Sequence, residues 1–423
     1  MSHTLGILFF VVALLTSVMI HEGGHFLTAR AFGMKATQFF VGFGPTLFSR
    51  QRGETEYGVK AIPAGGFVKI TGMTPLEELD PADAPRAFWR GRTWQRVVVL
   101  TAGSVTHFVI AIMLMLGVAF FTPRGGEAPV VSAVSSCIAT SATAADPAPA
   151  PGAGGVCPAG SVPAPAHGVL QVGDRITAVQ GKPLATWAAI ATAIRGTSAE
   201  RRLELTVLRG GHPVALSLQP VLEERPADSG PGTQLVSLVG VAPTSTFSNP
   251  TWSQAWHSAA GLLGTGDKVT GNPGLLSTFT GLRHIPSGVA HLFDAKPVVA
   301  GTAAANRPSS VVGIAQVSGD VLSGDQPLRY RLGQLFLIVA LVNFFVGVIN
   351  LLPFLPFDGG HVAVTLWQRL TRRRVRDRSP DAEGTRLSLL YARWAVPSYA
   401  IFAVVAVLSL LTLTADVTNP VKV

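Results

Sequence analysis

The residues with the most chemistry in them are His21, Glu22 and His25, set in the stretch His21-Glu22-Gly23-Gly24-His25. Histidines four residues apart share one face of a helix, so two imidazoles can grip one Zn²⁺, and the carboxylate beside the first is placed to act as general base toward water. The setting makes the spacing informative. The stretch follows directly on the apolar run Leu5 to Ile20, so three ionisable groups lie inside what otherwise reads as a membrane-spanning helix. No Lys or Arg stands nearby to pair them, and a metal in a water-filled cavity accounts for them better than a structural role. Met1 to Gly6 carries no basic region and no small-residue cleavage site follows, which argues against a cleaved leader.

A second candidate cluster is Asn350-Leu351-Leu352-Pro353-Phe354-Leu355-Pro356-Phe357-Asp358-Gly359-Gly360-His361. Two prolines within a hydrophobic helix remove amide donors and break it where Asp358 appears. A carboxylate there needs a cation, and zinc held by His21 and His25 would supply one, giving a His₂Asp set with the fourth position left for water. Asn350 reads either as a hydrogen-bond donor to a substrate carbonyl or oxyanion, or as a helix-packing amide. His361 lies either beside the metal ligands or at the cytoplasmic surface.

The elements that must position these groups follow from composition. In 423 residues the hydrophobic fraction is 48%, charged residues are 13% and mean hydropathy is +0.40, values that exclude an ordinary soluble domain. The net charge of +9 does not mark a nucleic-acid binder, because the basic residues collect beside hydrophobic spans. The fold class expected is an α-helical integral membrane protein with four transmembrane helices. They lie within residues 1–31, 96–121, 332–362 (the NLLP and DGGH segments included) and 395–415. Basic segments 32–95 and 363–394 are expected in the cytoplasm. That leaves both termini and residues 122–331 outside a multi-pass plasma (inner) membrane protein, with His21 toward the inner leaflet.

Between the first two spans, Gly- and Pro-punctuated β-favouring runs predict a membrane-associated β-loop, either a plain hairpin or a strand edge that holds an unwound substrate; Gly65, Gly66 and Phe67 are its candidate contacts. Thr74 to Arg92 is a polar connector. His107, in the second span, reads as a third ligand, a proton relay or a hydrogen-bonded interior residue. Outside, Cys137 and Cys157 flank an Ala/Pro/Gly-rich stretch, and a disulfide between them would contribute ~3 kcal/mol. Residues 166–218 alternate as short strands around a helix at Trp187, Ile190 and Ile194, an α+β pattern that resembles a PDZ domain within 122–243. Residues 244–331 form a connector with helical patches at Trp252 to Leu263 and Leu275 to Leu282.

Taken together, HEGGH in the first span, Gly-Phe-Gly-Pro and Pro-Ala-Gly-Gly-Phe-Val-Lys-Ile after it, the external PDZ-like pattern, Val312 to Ala315, and Asn-Leu-Leu-Pro with Asp-Gly-Gly-His in the third resemble the site-2 protease family. These are intramembrane zinc metalloproteases, and the chain is most similar to the actinobacterial regulators of intramembrane proteolysis. The resemblance implies zinc on His21, His25 and Asp358, and Glu22 as base. It implies single-span membrane substrates, anti-sigma factors after a first external cut and signal-peptide remnants among them. One departure is visible: Ala102-Gly103-Ser104 followed by His107 stands where the family usually has Ala-Gly-Pro and then Asn, so that asparagine's substrate-pairing role is not carried over. A receptor that binds tails through the external domain, or a metal transporter, would be the rival classes; the former has no use for a buried charge set, and the outer half of the first span lacks the polar path the latter needs. Oligomeric state is not legible.

Overall fold

The computed structural model describes residues 2–73, 80–139, 157–198, 201–226, 233–266, 274–276, 298–299, 309–372, 380–418 and 421–422, which form two compact units. One comprises residues 1–122, 250–300 and 306–423, the other residues 123–249 with 301–305. The Ala/Pro/Gly-rich stretch between the cysteines, most of the second helical patch and the arginine run after Arg372 lie outside the described residues.

In the first unit, α1 (Ser2–Ala31) leads into two long bent strands, β1 (Ala36–Arg52) and β2 (Thr55–Ile70), and then α2 (Thr93–Phe121). The bends let each strand serve twice. Ala36 to Val41 pairs antiparallel with Gly66 to Ile70 on one side and runs alongside Glu56 to Val59 on the other, while Thr46 to Arg52 pairs back on Thr55 to Lys60. The resulting order of segments is 66–70, 36–41, 56–59, 46–52, with 66–70 at an edge. Phe26, Ala29, Met34, Ile70, Phe88, Val99 and Leu100 bury one another where this sheet meets α1 and α2. Such a cluster fixes the strand edge relative to the histidine helix.

The second unit is built on a five-strand path with a short appended strand, beside two two-stranded pairs. It contains β3 (Arg124–Val134), β4 (Cys137–Ala139), β5 (Ser161–Pro163), β6 (Arg175–Val179), β7 (Lys182–Pro183), α3 (Trp187–Arg195), β8 (Leu203–Arg209), β9 (His212–Leu218), β10 (Val221–Pro226), β11 (Thr233–Leu238) and β12 (Val241–Ser248). The main sheet runs β12-β3-β6-β8-β9, with β7 on β6, and the separate pairs are β4-β5 and β10-β11. Alternation along β8 turns Leu203, Leu205 and Val207 inward against Trp187, Ile190 and Ile194 of α3. Gly210 and Gly211, both at positive φ, make the β8–β9 turn. Cys137 and Cys157 are joined in a disulfide, Cα–Cα 5.7 Å, beside the β4–β5 pair.

Back in the first unit, α4 (Trp252–Leu263), capped by Thr251 and Gln254, packs on α2. Then come α5 (Val311–Ser323), α6 (Leu328–Asn350), α7 (Asp358–Arg372) and α8 (Pro380–Thr418). Among the described residues, four helices are long and apolar enough to cross a membrane: α1, α2, α6 and the Ser398–Thr418 part of α8. Two sequence expectations need correction. Residues 332–362 are not one span, because α6 stops at Asn350, turns occupy 351–357 around Pro353 and Pro356, and Asp358 opens a separate helix. Nor is 363–394 a loop, since α7 and the start of α8 occupy all of it but 373–379; its apolar residues recur at helical spacing between the arginines.

In the second unit Asp174 is 1% exposed and accepts hydrogen bonds from Arg209 Nε (2.8 Å) and Nη2 (2.7 Å) and from the Gln171 amide (2.9 Å). The guanidinium holds this carboxyl below the usual carboxylate range. A depressed folded value means that the stabilisation is complete above the ordinary Asp range and is lost as pH falls through the lowered one. Asp174→Asn is therefore expected to lower the melting temperature of this unit by roughly 5 °C at neutral pH. It should also flatten the acid limb of its stability profile, followed by Trp187 fluorescence across pH; an unchanged melting temperature would refute the assignment.

Candidate metal centre

An uninterrupted apolar sequence makes α1 a helix through the motif, and its four-residue period turns His21 and His25 to the same buried side, 7% and 5% exposed. Their Nε2 atoms lie 3.1 Å apart, and each is 3.4 Å from Asp358 Oδ2. Ligands held ~2.0–2.1 Å from a tetrahedral centre are themselves ~3.3 Å apart, so this triangle supplies three corners of a zinc site. Donor chemistry agrees. His25 Nδ1 is 2.7 Å from the Val99 carbonyl, which can only accept, so the proton sits on Nδ1 and Nε2 presents a lone pair. Asp358 Oδ2 is buried and accepts no hydrogen bond. Two imidazole nitrogens and a carboxylate oxygen thus converge, and the His25 lone pair faces Asp358 Oδ2 with no proton of its own to offer, the condition a cation satisfies.

Glycine explains how two helices come close enough. A Cβ at Gly24 would lie 2.9 Å from the Ala102 carbonyl oxygen, and one at Gly103 would lie 2.5 Å from both His21 Cε1 and His25 Nε2. α2 therefore forms the wall of the centre, and only hydrogen fits at Gly103. Asp358 arrives from the other side. The Leu355 amide donates to Ser398 Oγ (3.1 Å), and Gly359 and Gly360 let the first turn of α7 fold onto the 351–355 backbone. Arg96 of α2, 6% exposed, then holds α7 by Nη1 to Gln368 Oε1 (3.0 Å) and Nη2 to Thr365 Oγ1 (3.2 Å).

Glu22, half-buried, points to the sheet: the Val68 amide donates to its Oε2 at 3.0 Å. Gly66 lies alongside, where a Cβ would stand 3.6 Å from Glu22 Cγ and 2.6 Å from Met19 Sδ. Gly65 sits at positive φ, and Phe67 stacks on Phe40 and Phe43 with centroids 5.6 and 6.1 Å away. Asn350 ends α6 and is half-buried. His361 is half-buried in α7. His107 is an interior residue: its ring is 4.9 Å from that of His21, and its Nδ1 donates to Asn343 Oδ1 (2.8 Å) while Asn343 Nδ2 donates to the Val339 carbonyl (2.8 Å). Sequence reasoning passed over Gly24, Gly103, Val99, Val68 and the Arg96 link. Arg96, a charge at the edge of a span, was the one visible signal.

A His₂-carboxylate cluster with an adjacent free carboxylate, set among membrane-length helices, defines a metal-dependent hydrolase of the membrane. The peptidase family M50 model matches residues 9–386. The zinc metalloproteases Rip1 of Mycolicibacterium smegmatis and Mycobacterium tuberculosis are each 33% identical to this chain, covering 99% of it and 98% of their own length, and that of Mycobacterium bovis is 32% identical with the same coverage. The chain belongs to peptidase family M50, the site-2 protease family, and is a zinc-dependent metalloendopeptidase.

Gly103→Ala is expected to weaken zinc retention about 10- to 100-fold by displacing both imidazoles, while the purified protein keeps its helix content. Metal analysis after dialysis against a graded chelator measures this, and retention equal to the parent's would show that α2 does not wall the centre.

Proposed function

We propose that the chain hydrolyses peptide bonds within transmembrane segments of membrane proteins already cut once outside, with His21, His25 and Asp358 as zinc ligands and Glu22 as general base. The convergence of the two Nε2 atoms and Asp358 Oδ2 at 3.1–3.4 Å carries this reading. Zinc, when bound, supplies Lewis-acid polarisation of a water and of the scissile carbonyl. Glu22 accepts the proton of the attacking water and returns it to the leaving amine; its tether to the Val68 amide holds the carboxylate in register for both transfers. A transmembrane helix hides its peptide bonds in its own hydrogen bonds and must unwind before attack. The edge formed by Gly66 to Ile70, beside Glu22, offers main-chain partners to the unwound segment, with Gly65, Gly66 and Phe67 as the contacts. Asn350 stabilises the oxyanion or a substrate carbonyl in this reading.

Anti-sigma factors and signal-peptide remnants are the substrate class we infer, on the strength of the likeness in motifs and order to regulators of intramembrane proteolysis. The basic residues flanking the spans favour a plasma-membrane topology with both termini and the PDZ-like unit extracytoplasmic and the metal centre toward the cytoplasmic leaflet. The sheet and helix of residues 124–248, with a core on one side of α3, support the PDZ-like assignment.

Glu22→Gln is expected to lower cleavage of a labelled single-span peptide by detergent-purified protein 10²- to 10⁴-fold with zinc content unchanged, and Asp358→Ala to lose both zinc and cleavage. Cleavage that persists in Glu22→Gln would remove the base from Glu22.

A further inference from the structure

α7 buries polar side chains beside Val364 and exposes apolar ones. On the side facing α2 it presents Thr365 and Gln368, 2% and 6% exposed, which take hydrogen bonds from Arg96. The opposite side presents Leu366, Trp367 and Leu370, 45%, 48% and 62% exposed. In a water-facing helix polarity would be the reverse, with apolar residues turned to the protein. Arg369 is exposed between them, and the sequence after α7 continues Arg372-Arg373-Arg374-Val375-Arg376-Asp377-Arg378. An exposed stripe of two leucines and a tryptophan flanked by arginine is the composition of a helix lying in the headgroup region of an anionic bilayer, where the tryptophan sits at the boundary and the guanidinium meets phosphate. α7 also belongs to the same compact unit as the four membrane-length helices.

The first residue of α7 is Asp358. From this we infer that the exposed Leu366–Trp367–Leu370 face of α7 is a seat on the surface of an anionic bilayer, and that this seating, together with Arg96, fixes Asp358 opposite His21 and His25. Upstream, the residues between α6 and α7 are turns, so the helix ladder of α6 does not continue into Asp358. Its place is set by what holds α7: the Ser398 anchor and the 351–355 backbone at its start, Arg96 along its buried side, and the lipid seat along its exposed one. The coupling to metal rests on the ligand assignment made above; the seat does not.

The two are separated by experiment. A variant with Trp367 as its one tryptophan, the others replaced by Phe, is reconstituted in phosphatidylcholine–phosphatidylglycerol vesicles whose acyl chains are brominated at different depths. The seat requires strongest quenching by bromine near the headgroups. Quenching of Trp367 by aqueous acrylamide as in a free indole, with none by brominated lipid, overturns it. For the coupling, Leu366→Gln/Leu370→Gln is compared with the parent in the same vesicles for zinc retained against a chelator, expected to fall about tenfold. Should this variant fail to fold, the parent is compared in vesicles with and without phosphatidylglycerol. Equal zinc retention in either comparison overturns the coupling, whereas a chain that holds no zinc in any vesicle while Trp367 is quenched by lipid leaves the seat standing and removes the metal assignment.

Discussion

Bringing two imidazole nitrogens and a carboxylate oxygen to within 3.1–3.4 Å of one another, away from bulk water, is unfavourable unless a cation joins them. Much of the first unit can be understood as what that convergence requires. α1 supplies two of the three atoms by its period alone. The third lies more than three hundred residues away in sequence and is delivered by a short helix with its own attachments. Glycines at 24 and 103 remove the side-chain bulk that would keep α1 and α2 apart. Each of these devices is local, yet all act on one triangle a few ångströms across.

The sequence carried the site better than it carried the scaffold. His21, Glu22, His25 and Asp358 were legible because ionisable groups in apolar runs need a reason, and because a four-residue spacing on a helix is a geometric statement. The break before Asp358 was legible from Pro353 and Pro356, but its extent was not, since proline says where a ladder fails and not where the next one begins. Hence a single span was expected where the chain forms α6, turns and α7. The strands of the second unit followed from alternation at Leu203 to Val207 and Val214 to Leu218, and the hairpin between them from paired glycines. The long-range partners were invisible. Neither the Val99 carbonyl nor the Val68 amide has a side chain that could announce it, and Gly103 is one of 45 glycines.

β1 and β2 show the same limit in another form. Their runs of Phe, Val and Gly announced strands, whereas the double use of each strand came from bends that composition does not encode. The register shifts at Phe39 to Thr46 are where the chain departs from a simple hairpin, and they place 36–41 in the interior of the small sheet and 66–70 outside it.

That edge has one missing rung. The Val68 N–H points away from β1 and is already taken by Glu22, so an extended chain laid along 66–70 would find that amide, the one next to the base, already engaged. Its carbonyl at that height goes without a main-chain partner. A ladder interrupted at one step is locally slack, and the slack falls beside the carboxylate, where a peptide group has to turn out of its plane to be attacked.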